Sequence, residues 1–141
     1  MHKVFIYGTL KRGFPNHEAG LAGARFLGRA RTLEAYPLIV GGRWFSPYLI
    51  DEPGQGQRVF GELFAVDAAG LALLDRMEGV GRPEGYRRIC VAVAGPQGQT
   101  ALDAWTFVKD RAAITVIHSA TMAEYRHDPR YVDPATRDSA F

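Results

Sequence analysis

Two places in this sequence carry residue types that can do chemistry. The first is Glu78. At about 100° per helical residue, Leu71, Leu74 and Glu78 fall in one narrow stripe, so Glu78 projects from the face that the two leucines bury. It also falls in the last turn of its helix, where the helix dipole disfavours a negative charge. Burial and dipole raise its pKa together. A carboxylate so placed is a candidate general acid and base. The competing reading is a rim glutamate swung into solvent at a frayed helix end. The second place is the loop Tyr7-Gly8-Thr9-Leu10, directly after a buried strand. Gly8 lets the chain turn sharply with no Cβ in the way of a ligand. Successive backbone N–H groups there can converge on an anion such as a carboxylate, and Thr9 adds a hydroxyl. The competing reading is a turn that binds nothing.

Other groups make weaker cases. Asp75 flanks the leucine stripe as a possible second acid or a solvated helix position. Cys90 sits in an alternating strand and reads as core. His2, His17, His118 and His127 show no metal-ligand spacing. Ser46 and Ser119 lack a nucleophile-elbow context. Tyr86, Tyr125 and Tyr131 are possible pocket walls. Gly41-Gly42 and Gly54-Gln55-Gly56 are turns without the strand-to-helix setting of a nucleotide fingerprint.

These residues need a scaffold, and composition limits which. The chain has 141 residues, 47% hydrophobic and 23% charged; this predicts one globular domain and excludes wholesale disorder. The net charge of +2 gives no case for nucleic acid. Arg25, Arg29 and Arg31 hint at a basic face, but a solvated strand face explains them as well. One cysteine excludes an internal disulfide framework. No apolar run reaches the roughly 20 residues of a membrane span. The opening residues enter a strand pattern at once, without a signal segment, so the expected location is the cytoplasm.

Glycine and proline contribute 16 and 8 residues, which suits short strands joined by tight turns. Strands are predicted at residues 3–7, 24–33, 36–40, 44–50, 58–66, 86–94 and 100–108, with Pro37 and Pro47 making theirs edge strands or irregular ones. One helical turn is expected after Asn16. Asp67 caps a helix running to Met77, and Gly79 stops it. A hairpin turn is expected at residues 95–98 and a second helix over residues 112–125. From Arg126 onward the chain is polar and poorly patterned. The fold class predicted is α+β: a small mixed β-barrel with one or two flanking helices, as a single domain.

Taken together, these segments resemble a known family. Val4-Phe5-Ile6-Tyr7-Gly8-Thr9-Leu10-Lys11-Arg12-Gly13, followed by Pro15-Asn16-His17, resembles the opening of γ-glutamylcyclotransferase-like proteins, most nearly their γ-glutamylamine cyclotransferase branch. Gly28-Arg29-Ala30-Arg31-Thr32-Leu33-Glu34-Ala35-Tyr36-Pro37-Leu38 is similar to the branch's second block. Val59-Phe60-Gly61-Glu62-Leu63-Phe64-Ala65-Val66-Asp67 is similar to its central strand, and Leu73-Leu74-Asp75-Arg76-Met77-Glu78 to its catalytic helix end. The likeness runs from Lys3 to about Val108. The glycine-rich loop at residues 79–85 and the segment after Val108 depart from it, although Arg130-Tyr131 is similar to the family's tail.

The resemblance implies a compact barrel. It also implies a substrate pocket formed by Tyr7, Gly8, Thr9 and Leu10, Glu78 as catalytic residue, and release of 5-oxoproline from γ-glutamyl compounds without metal or organic cofactor. The chemistry suits the residues. In a γ-glutamyl amide the substrate's own α-amine attacks the γ-carbonyl, so the nucleophile is already tethered. One carboxylate can take the proton from the amine and return it to the leaving group. The partner expected is a small γ-glutamyl compound, with no nucleic acid and no membrane; oligomeric state is not legible. The alternative function is a non-catalytic carboxylate-binding or sensing module on the same fold.

Overall fold

The computed structural model describes residues 1–95 and 100–137. Five strands close a barrel in the order β1-β5-β2-β6-β7: β1 (His2–Ile6), β2 (Arg25–Tyr36), β5 (Gln57–Val66), β6 (Arg87–Ala94) and β7 (Leu102–Val108). Neighbours pair antiparallel except β1 with β7, which close the barrel in parallel at Val4 and Trp105. β3 (Leu38–Gly41) and β4 (Ser46–Leu49) form a separate hairpin, because Pro37 ends β2 and turns the chain out of the barrel. Two helices complete the fold, α1 (His17–Leu21) and α2 (Ala68–Met77). The predicted small mixed barrel with flanking helices is the architecture observed.

The contiguous apolar run of β1 has a simple cause: both its faces are covered. Val4 and Ile6 pack with Phe64, Val66, Leu71 and Leu74, the layer between barrel and helices. Phe5 and Tyr7 point the other way, into the core with Ala30, Val59, Val91 and Val93. Asp67 caps α2 as predicted, its Oδ1 accepting from the Gly70 amide at 2.7 Å. Asp67→Ala should therefore lower stability by about 1 kcal/mol, read as a thermal midpoint lower by about 3–5 °C.

Two expectations fail. Cys90 is exposed, not core. The alternation of β6 is right but its phase is opposite: Val91 and Val93 face the core, which sends Cys90 outward. Residues 112–125 are not helical. After a single 3-10 turn at Arg111–Ala113 the chain runs as a strap along the β3 edge. There Gly42 donates to Val116, His118 to Val40 and Met122 to Leu38. The β-branched run Ile114-Thr115-Val116-Ile117 favours extended backbone, and an unpaired strand edge was waiting for it. The predicted turn at residues 95–98 lies, beyond Gly95, outside the described residues. Arg29 and Arg31 lie over the Phe60 ring, each 4.6 Å from its centroid, and Arg29 pairs with Glu124 at 3.0 Å.

Candidate active site

Glu78 ends α2 inside a Schellman motif. Its amide closes the last helical bond to Leu74 O (2.9 Å), the Gly79 amide bonds Arg76 O (3.1 Å), and the Val80 amide reaches back to Asp75 O (2.9 Å). Gly79 takes φ +67°, which a side chain would resist. The loop of residues 79–85 then folds under the helix end, and the Tyr86 amide donates to Glu78 O at 2.9 Å. Local sequence thus holds the Glu78 backbone from both sides.

The Glu78 side chain faces a cleft of about 920 Å³, where Tyr48, Tyr86, Lys109, Tyr131 and Arg137 also stand. A smaller niche of about 40 Å³ opens beside it, walled by Tyr7, Gly8, Thr9, Leu10 and Glu78. Glu78 keeps some exposure through the cleft, yet protein crowds its carboxyl group. That burial pushes its pKa up from 4.5 to about 7, against the pull of the Arg137 and Lys109 charges. Its carboxylate makes no hydrogen bond or ion pair among the described residues.

Across the niche, the amides of Gly8, Thr9 and Leu10 donate to no protein acceptor among the described residues. The loop keeps its shape by other bonds: Lys11 donates to Gly8 O (3.1 Å) and Asn16 to Thr9 O (2.9 Å). Gly8 lies so close to β4 that a Cβ would stand 2.8 Å from Pro47 Cγ. The four predicted loop residues reach the site differently. Tyr7 lines the niche with its hydroxyl engaged, donating to Phe107 O (2.7 Å) and accepting from the Leu49 amide (3.3 Å). Burial raises the pKa of that phenol well above its ordinary value, with the Glu78 charge adding to it. Leu10 likewise buries its side chain between barrel and helices. The Thr9 hydroxyl accepts from Asn16 Nδ2 at 2.8 Å.

The other candidates separate. Asp75 pairs with Arg88 at 3.1 Å, apart from both cavities. Tyr125 is wholly buried in the core. Tyr86 and Tyr131 do line the cleft. No cluster of His, Cys, Asp or Glu suited to a metal occurs among the described residues, and no helix among them is long and apolar enough to cross a membrane.

Four residues escaped the reading of the sequence as site residues. Asn16 links the opening loop to the tail, donating also to the Tyr131 hydroxyl at 2.8 Å. Arg137 donates to that hydroxyl from Nη2 (3.4 Å) and to Val132 O from Nε (3.1 Å). Tyr48 and Lys109 line the same cleft. The Lys109 ammonium lies 5.3 and 5.4 Å from the ring centroids of Tyr48 and Tyr86, and burial lowers its pKa. Asn16 and Tyr131 stood in segments already matched to the family's opening and tail. Lys109 and Arg137 gave no local signal.

Known proteins resemble this chain in sequence and fold. A γ-glutamylaminecyclotransferase of Bos taurus is 48% identical over 101 residues, 67% of this chain and 59% of that protein. Gamma-glutamylaminecyclotransferase B of Danio rerio is 36% identical over 143 residues, 99% of this chain and 68% of that one. The chain therefore spans about three-fifths to two-thirds of the length of these relatives. The crystal structure of an AIG2-like protein from Mus musculus superposes with a TM-score of 0.83 at 30% identity, covering 97% of this chain and 99% of that one. Residues 4–127, from the first barrel strand past the strap, match the sequence profile described as gamma-glutamyl cyclotransferase, AIG2-like, and to that family the chain belongs.

Proposed function

We propose that this protein is a cofactor-independent γ-glutamyl(amine) cyclotransferase, acting as one domain on a small cytoplasmic γ-glutamyl compound, with neither nucleic acid nor membrane as partner. The observation that carries the reading is Glu78, an unpartnered carboxylate with its pKa pushed to about 7, set across a niche from three open amides. The relatives' names support the same reaction.

The steps follow from those groups. The Gly8, Thr9 and Leu10 amides hold the substrate's α-carboxylate or polarise its γ-carbonyl oxygen. Glu78 takes a proton from the substrate's α-ammonium, and the freed amine attacks the γ-carbon, closing the five-membered ring. The bond from that carbon to the leaving nitrogen then breaks as Glu78 returns its proton there, and the second proton of the ring nitrogen passes through Glu78 to the departing amine, which leaves protonated. The products are 5-oxoproline and a free amine, with Glu78 again ionised. Burial matters here, because an α-ammonium beside a free carboxylate gives up its proton far less readily than an ordinary glutamic acid does. An ordinary glutamate is a poor base for it; one at about 7 narrows the gap.

A panel of γ-glutamyl compounds assayed for 5-oxoproline release tests the reading. Turnover of at least one member is expected, with kcat/KM climbing as pH rises through about 7, where Glu78 ionises. Binding of the compounds without any release of 5-oxoproline would leave a sensing module instead.

A further inference from the structure

Thr9 lines both the niche and the wide cleft. Its hydroxyl has one hydrogen to give and two lone pairs to offer. One lone pair is taken by Asn16 Nδ2 at 2.8 Å. The hydrogen goes to no protein acceptor among the described residues. Asn16 spends both hydrogens of its side-chain amide on hydroxyls, the second on that of Tyr131 at 2.8 Å. Its backbone amide donates to Thr9 O at 2.9 Å. A trans peptide is planar, so a carbonyl held on one side directs the N–H that follows it, that of Leu10, the opposite way. Asn16 thus grips Thr9 at two atoms and the tail at a third.

A free hydroxyl is ambiguous: it can accept from an ammonium or donate to an oxygen. A γ-glutamyl compound brings both kinds of group on neighbouring atoms. A hydroxyl that already accepts is committed to donating, and it donates more strongly for doing so. We infer that Asn16 is a positioning residue: its donation to the Thr9 hydroxyl commits that hydroxyl's own hydrogen to an oxygen of the bound substrate, adding a fourth donor to the amides of Gly8, Thr9 and Leu10. In this role Asn16 acts through Thr9 and carries no chemistry of its own. The inference rests on the cyclotransferase reading and deepens it.

Asn16→Asp is the deciding variant. Aspartate keeps the shape of the side chain and the backbone bond to Thr9 O, but its carboxylate can only accept. It turns the Thr9 hydrogen toward itself and still holds the Tyr131 hydroxyl, which now donates. The tie between loop and tail is kept while the fourth donor is lost. Release of 5-oxoproline is measured for the native protein, Asn16→Asp, Thr9→Val and the double variant, with thermal melts to follow the fold. Each single variant should lower kcat/KM about tenfold, the worth of one hydrogen bond. The double variant should be no slower than Thr9→Val, because Asn16 has nothing left to direct. In a Thr9→Ser background, which keeps the hydroxyl, Asn16→Asp should again cost about tenfold. A new charge in the cleft, or a merely structural role of Asn16, would slow the Thr9→Val background as well, and losses that multiply overturn the inference. A native rate in Asn16→Asp also overturns it, since Asn16 would then be the acceptor. If the native protein releases no 5-oxoproline from any compound, the reaction reading fails separately, and the same cycle is read by calorimetry with 5-oxoproline as the probe. Binding about tenfold weaker in each single variant, with no further loss in the double one, supports the role of Asn16. Multiplying losses, unchanged affinity or no binding at all overturn it.

Discussion

Glu78→Gln is expected to reduce 5-oxoproline release by about 10³–10⁴-fold, roughly 4–5 kcal/mol of barrier. Glutamine keeps the shape and the hydrogen-bonding capacity of the side chain but cannot carry a proton between two nitrogens. One group serves both transfers, which places the loss at the upper end for acid–base assistance. Stability should move the other way, and its pH dependence gives the test a signature. With a folded pKa of about 7 against an ordinary 4.5, the folded chain holds a proton that the unfolded chain has released between those values. Native stability therefore falls as pH rises through that window. Below it, both states are protonated and the variant should melt with the native protein. Above about 7 the full penalty of a buried carboxylate applies, and the variant should be more stable by about 1–3 kcal/mol, a thermal midpoint higher by several degrees. A rate preserved in the variant would remove Glu78 from the chemistry. Melts that stay parallel across the pH range would remove its buried character.

Gly85→Ala should damage both fold and rate, although Gly85 carries no chemistry. A Cβ at Gly85 would overlap the Gly79 carbonyl, and Gly79 Cα would stand only 3.0 Å away. These are backbone atoms, so relief requires the loop of residues 79–85 to open. That loop anchors Glu78 through the Tyr86 amide and through Gly79 at the helix stop. The expected stability loss is about 2–3 kcal/mol. Release of 5-oxoproline should fall by about 10² or more, because a misplacement near 1 Å costs that much in an oriented reaction. Gly81→Ala is the control. Gly81 also has a positive φ, +90°, but its Cβ would meet nothing within 4 Å. It should cost only about 1 kcal/mol of backbone strain and leave the rate near native. Equal melts and equal rates for the two variants would show that close packing of Gly85 on Gly79 does not position Glu78.

Much of the scaffold was legible because its signals are local. Asp67 and Gly79 bracket α2 through hydrogen bonds made within a turn of themselves. The Leu71, Leu74, Glu78 stripe follows from helical period alone, and it correctly turned Glu78 toward protein. The run Val4-Phe5-Ile6 ending at Gly8 marked a strand buried on both faces and the loop after it. Where only periodicity was available, its phase was ambiguous. β6 alternates as predicted, but which of its faces meets the core depends on β7 and β2, and Cys90 fell on the outer one.

By itself, then, the sequence determined the local elements, their caps and the two halves of the candidate site, Glu78 and the open amides of Gly8, Thr9 and Leu10. The tertiary structure decided what surrounds them. Residues 112–125 lack a partner in their own neighbourhood and become a strap only because β3 offers an unpaired edge. The strap's course brings Tyr131 and Arg137 to Asn16 and Glu78. Lys109 arrives where the ends of β4 and β7 meet, its amide bonded to Leu49 O at 2.9 Å. Such contacts join residues far apart in the chain, and no short-range preference encodes them. The charge of the cleft, and the share of Glu78's pKa set by Arg137 and Lys109, exist only once the barrel has closed and the strap has crossed it.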